Sequence, residues 1–423
     1  MALEDYRRDT WDCVRCSHCK YIHPYRVRSI RFSKICPSSA YYFFDGYSAQ
    51  GRLDIARGLI DKELPENCLN ELAQIIYTCT LCGGCDVMCK YYNDIDPLLV
   101  LEELRAECRA AGLLPAPLKK SIESIKKNGN SLFQPREKRS EWAKGLNLKD
   151  IAESKAKVLY YPGCNYSYNT TLQEVPRLTA KILTKAGVDF GILGTREICC
   201  GTLALQAGDR SSFGTLADIT TSNFNTLGVK KIITSCAICY STFKVDYPRY
   251  GAEMKCEVLH ITEFLAQLLT QGSLNLTRKV PFRVTYHDPC HLGRLSEPYH
   301  AWKGKRVKYG RYDPPTKELR QGTYGVYEAP RTILSSIKGM KLVEMERSKE
   351  YSFCCGAGGG VNYTYPDFSL ATAQERVEEA VATGAEALVT SCPWCELNLR
   401  KAIVHDHRKM KLYSVLDLIN RAL

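Results

Sequence analysis

Twice within its first 90 residues the chain sets three cysteines at intervals of three: Cys13, Cys16 and Cys19, then Cys79, Cys82 and Cys85. Cys36, followed by Pro37, and Cys89 complete the two groups. Such short loops hold several thiols around one point and leave little freedom for anything else. The pattern continues beyond this region, because 21 of the 423 residues are cysteine, and the odd total fits poorly with complete disulfide pairing. In a cytosolic chain, clustered cysteines read as metal ligands or catalytic thiols. The stretch 1–12 carries charges of both signs without an apolar core, and Arg7-Arg8 has no apolar segment behind it, so neither a secretory nor an export leader is expected. No apolar run approaches the roughly 18–20 residues of a membrane helix. A cytoplasmic protein without a membrane span is expected, with any membrane association made through a partner. A composition of 45% hydrophobic and 25% charged residues excludes wholesale disorder.

Zinc favours two separated pairs of ligands, whereas cysteine at every third position favours iron and sulfide. Three thiolates of one loop wrap three corners of a cubane, and in two-cluster ferredoxins the fourth ligand comes from the other motif. The spacing therefore groups Cys13, Cys16, Cys19 and Cys89 on one cubane, and Cys79, Cys82, Cys85 and Cys36 on a second. Two departures from a bacterial ferredoxin stand out: sixteen residues separate Cys19 from Cys36, and Lys90 rather than proline follows Cys89. His18 and His23 lie in that gap and read as hydrogen-bonding or surface residues. Apolar spacing predicts helices over 52–64, 67–77 and 98–111. Residues 1–111 are thus expected to form a helical domain with two [4Fe-4S] cubanes.

Residues 112–157 are rich in Lys, Ser, Asn and Pro and read as a surface linker with a short helix near 119–127. Beyond them the chain repeats. Cys164, Cys199-Cys200-Gly201 and Cys236-x-x-Cys239 mark a first unit, 158–279; Cys290, Cys354-Cys355-Gly356 and Cys392-x-x-Cys395 mark a second, 280–423. Thirty-four residues lie between Cys164 and Cys199 but 63 between Cys290 and Cys354, so the second unit carries an insertion, at about 296–326. Short apolar runs at 158–161, 231–235, 282–286 and 387–391 each deliver a cysteine, and the helical stretch 372–383 ends at Gly384. The fold class is α+β overall: a helical two-cluster domain followed by two duplicated α/β units on mainly parallel sheets, with the cysteines at strand ends. Five thiols per unit exceed what a cubane takes. A lone C-x-x-C would suggest thioredoxin-like exchange, but its repetition beside Cys-Cys-Gly does not.

These residues resemble the paired Cys-Cys-Gly domains of heterodisulfide reductases, and with the two-cluster domain in front the whole chain is similar to the heterodisulfide reductase D-subunit family. Iron–sulfur subunits of glycolate oxidase and anaerobic glycerol-3-phosphate dehydrogenase share that layout, as does the electron-transfer subunit of class II benzoyl-CoA reductase. The resemblance implies a noncubane [4Fe-4S] cluster in each unit. Carried over, Cys164, Cys199, Cys200, Cys236 and Cys239 ligate one, and Cys290, Cys354, Cys355, Cys392 and Cys395 the other. In the heterodisulfide reductases the two clusters face each other and split a disulfide between them.

Gly201 and Gly356 follow the double cysteines and are assigned to the cofactor sites. The run Gly358-Gly359-Gly360 lacks the Lys-Ser/Thr ending of a phosphate loop and reads instead as backbone passing close to a cluster and donating N–H groups to its sulfurs. His287 and His291, around Cys290, suit protonation of a departing thiolate, though positioning of the ligand loop is the favoured reading. Cys68, Cys108 and Cys256 remain as packed apolar residues. The insertion holds Lys303, Lys305, Arg306, Lys308, Arg311, Lys317 and Arg320 against Glu297, Asp313 and Glu318, with Trp302 and Tyr299, Tyr309, Tyr312 and Tyr324 interleaved. No recognition fold accompanies it, so a partner-docking surface or a lid over an anionic thiol substrate is preferred to nucleic-acid binding, with a plain solvated insertion as the standing alternative.

The leading expectation is an iron–sulfur oxidoreductase subunit of an anaerobic complex. It would relay electrons from flavin- or iron–sulfur-containing partner subunits through two cubanes to two noncubane clusters. The insertion favours the class II benzoyl-CoA reductase type of complex. A catalytic heterodisulfide reductase subunit, taking a small thiol or disulfide at the noncubane clusters, is the alternative, and a zinc-structured scaffold is the reading from outside redox chemistry. No catalytic residue beyond the ligands is assigned.

Overall fold

The computed structural model describes residues 2–65, 67–90, 94–298, 302, 304 and 319–423. Of the insertion at 296–326, residues 299–301, 303 and 305–318 lie outside the described residues. Most of the charged and aromatic residues singled out there, Lys303 to Lys317 and Tyr299 to Tyr312, lie there too.

Two parallel sheets carry the C-terminal two thirds. The first contains β1 (Lys149–Asp150), β2 (Val158–Tyr161), β3 (Phe190–Ile192), β4 (Lys231–Thr234) and β5 (Glu257–His260) in the order β1-β3-β2-β4-β5. The second contains β6 (Arg283–Tyr286), β7 (Lys341–Leu342), β8 (Ala387–Thr390) and β9 (Lys411–Ser414) in the order β7-β6-β8-β9. Every pairing is parallel. Val158–Tyr161 and Ala387–Thr390 are buried along their whole length, as central parallel strands covered on both faces must be. In each sheet the chain leaves the first central strand towards one edge and returns on the other side, so the order reverses between β2 and β4, and between β6 and β8. The cleft outside the strand ends at such a reversal is where α/β sheets hold their ligands. Cys164 and Cys236 follow β2 and β4; Cys290 and Cys392 follow β6 and β8. The expected strands are therefore present, shorter by a residue at three of the four sites, and the mixed α/β class holds.

The duplication extends to the packing between units. Helix Glu174–Lys185 of the first unit packs on Val415–Ala422 of the second, and its counterpart Glu328–Ser336 packs on Ile261–Thr270 of the first. This reciprocal exchange relates the units by an internal pseudo-two-fold and buries one shared core, including Leu178, Leu183, Leu265, Leu334, Val389 and Ile419. The stretch 112–157 differs from a surface linker. Helix Ala116–Asn128 buries Leu118, Ile122 and Ile125, Trp142 is buried, and β1 adds an edge strand to the first sheet with no equivalent in the second among the described residues.

The N-terminal helices run Ala49–Ile60, Cys68–Tyr77, Gly84–Cys89 and Pro97–Ala110. Ser48 caps the first, accepting from the Gly51 N–H, and Pro97 opens the last, where its missing N–H costs nothing. Their apolar faces (Leu53, Ala56, Ile76, Val100, Leu104) join a core that continues into the first unit through Leu203, Ala204 and Phe213. The long gap between Cys19 and Cys36 is a clasp onto the second unit. Lys20 and Ile35 close its base, the N–H groups of Arg28 and Ser29 donate to the Glu346 carboxylate, and Arg31 pairs with Glu375 and Glu378 at 2.8 Å each.

Candidate iron–sulfur centres

All 21 cysteines are free thiols, and the structure gathers 18 of them into four sets. Cys13, Cys16, Cys19 and Cys89 line one cavity with Gln50, Leu53 and Ile95. Cys36 lies near Cys79, and Cys85 near Cys79 and Cys82, so the fold brings together the cysteines that the spacing grouped across the two motifs; Cys36 also lies near Cys19 of the first set. Arg15, Ser17 and Leu81 lie between these cysteines at φ of 54°, 66° and 49°. A left-handed turn is unusual for a side chain of any size and occurs where surroundings enforce it; here it folds each loop around its thiols. The Leu81 N–H points at Cys79 Sγ, 3.4 Å away. Burial pushes the Cys19 thiol up to about 12 and holds Cys85 and Cys89 well above the ordinary value, so ligation at these sites must displace protons.

In the first unit Cys164, Cys199, Cys200, Cys236 and Cys239 line a single cavity with Leu203, Ile238, Asn362 and Trp394. In the second, Cys354 contacts Cys290 and Cys355, and Cys395 contacts Cys355 and Cys392. The positions after the double cysteines are equivalent: Gly201 and Gly356 both sit at φ +85°, and their N–H groups point at Cys199 Sγ (3.5 Å) and Cys354 Sγ (3.3 Å). Gly358 and Gly360 line the first-unit cysteine cavity, and Gly358 and Gly359 also meet a second backbone. A Cβ on Gly359 would lie 2.4 Å from the Cys79 carbonyl and one on Gly358 2.7 Å from that of Thr80, so the run lets the second unit approach the N-terminal cysteine loop backbone to backbone.

The four sets form one series. Cys89 of the first set faces Cys85 of the second. Cys82 of the second contacts Cys354 of the second unit. Cys392 of that unit contacts Cys236 of the first unit. Cys16, at the outer end, is exposed, whereas every other member is partly or fully buried.

Polar side chains absent from the sequence reading surround the sets. Arg139, from the stretch 112–157, is paired with Glu197 inside the protein and donates to Cys164 Sγ at 3.5 Å. His287 Nδ1 accepts from Arg376 Nε at 3.0 Å, which places the proton of a neutral imidazole on Nε2. That Nε2 has no partner among the described residues, and His287, Cys355 and Cys395 hold their ligand atoms within 4.8 Å of one another. The favoured positioning role thus becomes a donor aimed at sulfur. His291 is held by Ser241 and Gln206 between the two units. Cys108 is fully buried, Cys256 packs at the edge of the same core, and Cys68 is half-buried, so none of the three joins a set. The donor sets fit iron and sulfide: thiols in fours and fives, with backbone N–H groups and an unpartnered imidazole N–H facing the sulfurs.

Glu396 ties the units together, accepting from Tyr166 Oη at 2.5 Å, and burial pushes its carboxyl up to about 8. Because the folded value lies above the ordinary one of 4.5, the native state keeps a proton that the unfolded chain releases, and stability falls as pH rises from about 4.5 through 8. Glu396→Gln, which still accepts from Tyr166, is expected to raise Tm by several degrees at pH 8.5 and to leave it nearly unchanged at pH 5.5 in anaerobic thermal unfolding. An equal effect at both values would contradict the buried, protonated carboxyl.

Residues 158–244 and 316–400 match the family model described as cysteine-rich domain. Over 417 residues the chain is 32% identical to the D-subunit of the dihydromethanophenazine:CoB–CoM heterodisulfide reductase of Methanosarcina mazei, covering 97% of this chain and 93% of that protein. The chain belongs to the heterodisulfide reductase D-subunit family. It is also 28% identical to the EtfAB:quinone oxidoreductase of Syntrophomonas wolfei (83% of this chain, 47% of that one) and 29% identical to the B-subunit of the fumarate reductase (CoM/CoB) of Methanothermobacter marburgensis (82% and 61%). It is an iron–sulfur oxidoreductase subunit. Among the described residues no helix is long and apolar enough to cross a membrane.

Proposed function

We propose that this subunit relays electrons from a flavin- or iron–sulfur-containing partner, through two cubane [4Fe-4S] clusters, to two noncubane [4Fe-4S] clusters. Cys13, Cys16, Cys19 and Cys89 hold the first cubane, and Cys36, Cys79, Cys82 and Cys85 the second. Cys290, Cys354, Cys355, Cys392 and Cys395 hold one noncubane cluster, and Cys164, Cys199, Cys200, Cys236 and Cys239 the other. Gly201 and Gly356 present N–H groups to them. The observation that carries the reading is the unbroken series of thiol sets from exposed Cys16 to the cavity beside Cys164. Bound clusters supply the one-electron chemistry; the protein holds them in sequence, buries three of the four and leaves the outer one facing a donor. The test is composition: about 16 iron atoms per chain, four per cluster, with matching acid-labile sulfide. A colourless zinc protein would overturn it.

The Cys236–Cys392 contact and the partly apolar cavity beside the first-unit set favour a second reading, in which a small thiol or disulfide reacts there. A paramagnetic signal that appears only on oxidation with thiol present would support it, and its absence in the intact complex would exclude it. The class II benzoyl-CoA reductase type of complex rests on the insertion alone, and the subunits that co-purify test it.

A further inference from the structure

Three arginines converge on the second cubane set. Arg52 is 1% exposed, Arg105 0% and Arg294 4%. Arg52 donates to the carbonyls of Ile75 (2.9 Å) and Tyr47 (2.6 Å) and to Ser38 Oγ (3.2 Å). Arg105 donates to the carbonyls of Gln206 and Gly359 (2.7 Å each), Tyr77 (3.2 Å) and Cys79. Arg294 donates to the carbonyls of Cys82 (2.6 Å), Glu350 and Ser352 (2.8 Å each). Every one of these acceptors is neutral, and among the described residues no carboxylate pairs with any of the three. One nitrogen of each, Arg52 Nη2, Arg105 Nε and Arg294 Nη2, is buried without a hydrogen-bond partner. A guanidinium stays charged in a protein, and leaving its charge buried and uncompensated is strongly unfavourable. The cysteines they face are Cys36 for Arg52, Cys79 for Arg105, and Cys82 of this set together with Cys290 and Cys354 of the second unit for Arg294; Tyr77 and Tyr365 beside Arg105 and Tyr327 beside Arg294 are the other ionisable neighbours.

Among the described residues the first set has no such surroundings. Arg15 is half-exposed and neutralised by Asp54 at 2.7 Å, and Asp54 also acts on Cys13. Asp86 faces Cys85 of one set and Cys89 of the other, so it does not discriminate between them.

We propose that Arg52, Arg105 and Arg294 supply the counter-charge of the second cubane and make it the more easily reduced of the two, so that electrons run inward from the exposed set. This rests on the cubane reading above. With the clusters bound, transfer would move one electron from the first centre to the second, with no bond made and no proton moved, and the added negative charge would lie beside three cations. Net charge and hydrogen bonding are the levers that set such potentials. Solvent at Cys16 also favours reduction of the first centre, but a screened surface site gains less than one facing three buried charges. These are positioning residues, and a potential is the readout that a purely structural role would leave in place.

The experiment is an EPR-monitored potentiometric titration of the full chain, purified anaerobically with its iron. Two cubane steps are expected, and Cys16→Ser should perturb the lower one. Arg52→Gln and Arg294→Gln should each lower the upper step by at least a tenfold change in its equilibrium constant, about 59 mV for one electron. Arg52→Lys and Arg294→Lys, which keep the charge, should lower it much less. If Cys16→Ser perturbs the upper step, or if the glutamine variants keep their iron and leave that step in place, the proposal is overturned. Should a glutamine variant fail to load iron, the order of the two steps in the unmodified arginine background still decides. Absence of iron and sulfide from the parent chain would be a different failure, that of the cubane reading itself.

Discussion

Cys82→Ala is expected to remove about four iron atoms per chain and to stop electrons from reaching the second unit, while the first cubane stays reducible. Cys82 contacts a cysteine of the second unit, Cys354, and its carbonyl accepts from Arg294. Losing it removes a ligand and the junction together. The rate at which a protein donor reduces the second-unit centre, followed by stopped-flow absorbance, should fall by more than the roughly 10–100-fold typical of losing an outer-shell partner. Cys68→Ala is the control: Cys68 opens helix Cys68–Tyr77 and joins none of the four sets, and its loss should leave iron and rate unchanged. An intact iron count in Cys82→Ala would show that the second set is held by other residues.

The cysteine groups between Cys13 and Cys395 were readable from sequence because the spacing within each is local, whereas the junction of Cys82 with Cys354 was not. Cysteine at every third residue specifies a loop whatever surrounds it, and the runs at 158–161 and 387–391 are apolar throughout because both faces of those strands are covered. The pseudo-two-fold follows from the repeated landmarks, although the exchange of helices between units does not. What stayed hidden depends on partners far away in the chain. Arg52, Arg105 and Arg294 look like any helix or loop arginine; their burial reflects carbonyls supplied by residues up to 254 positions away. The gap between Cys19 and Cys36 reads as a departure from a ferredoxin until Glu346, Glu375 and Glu378 are seen against it. The Lys- and Pro-rich composition of 112–157 conceals a two-residue strand too short for any periodicity to register, and with it Arg139. The one available clue to the buried arginines was Arg294 itself, four residues after Cys290 in the ligand loop.

Arg139 carries the largest expected effect on stability. Its side chain is 1% exposed and that of Glu197 3%; Nε donates to Glu197 Oε1 at 3.1 Å, Nη1 to the Gly129 carbonyl at 3.2 Å and to Cys164 Sγ at 3.5 Å. Arg139→Met leaves Glu197 buried with the Gly163 N–H as its remaining donor, at 3.2 Å. Removing one partner of a buried pair costs about 3–5 kcal/mol, because the survivor keeps its desolvation penalty. For units of this size that corresponds to a fall in Tm on the order of 10 °C. Arg139→Met with Glu197→Leu removes both charges and is expected to recover most of that loss, since replacing a buried pair with apolar groups is often nearly neutral. The donor to Cys164 is missing from both variants, so the first-unit centre should be harder to reduce in both, by a similar amount. Thermal unfolding and redox titration of the single and double variants therefore separate the two roles of one side chain. A double variant as unstable as the single would mean that Arg139 acts through packing against Tyr168 and not through its charge. A first-unit potential restored in the double variant would mean that the Glu197 carboxylate, rather than the lost donor, sets it.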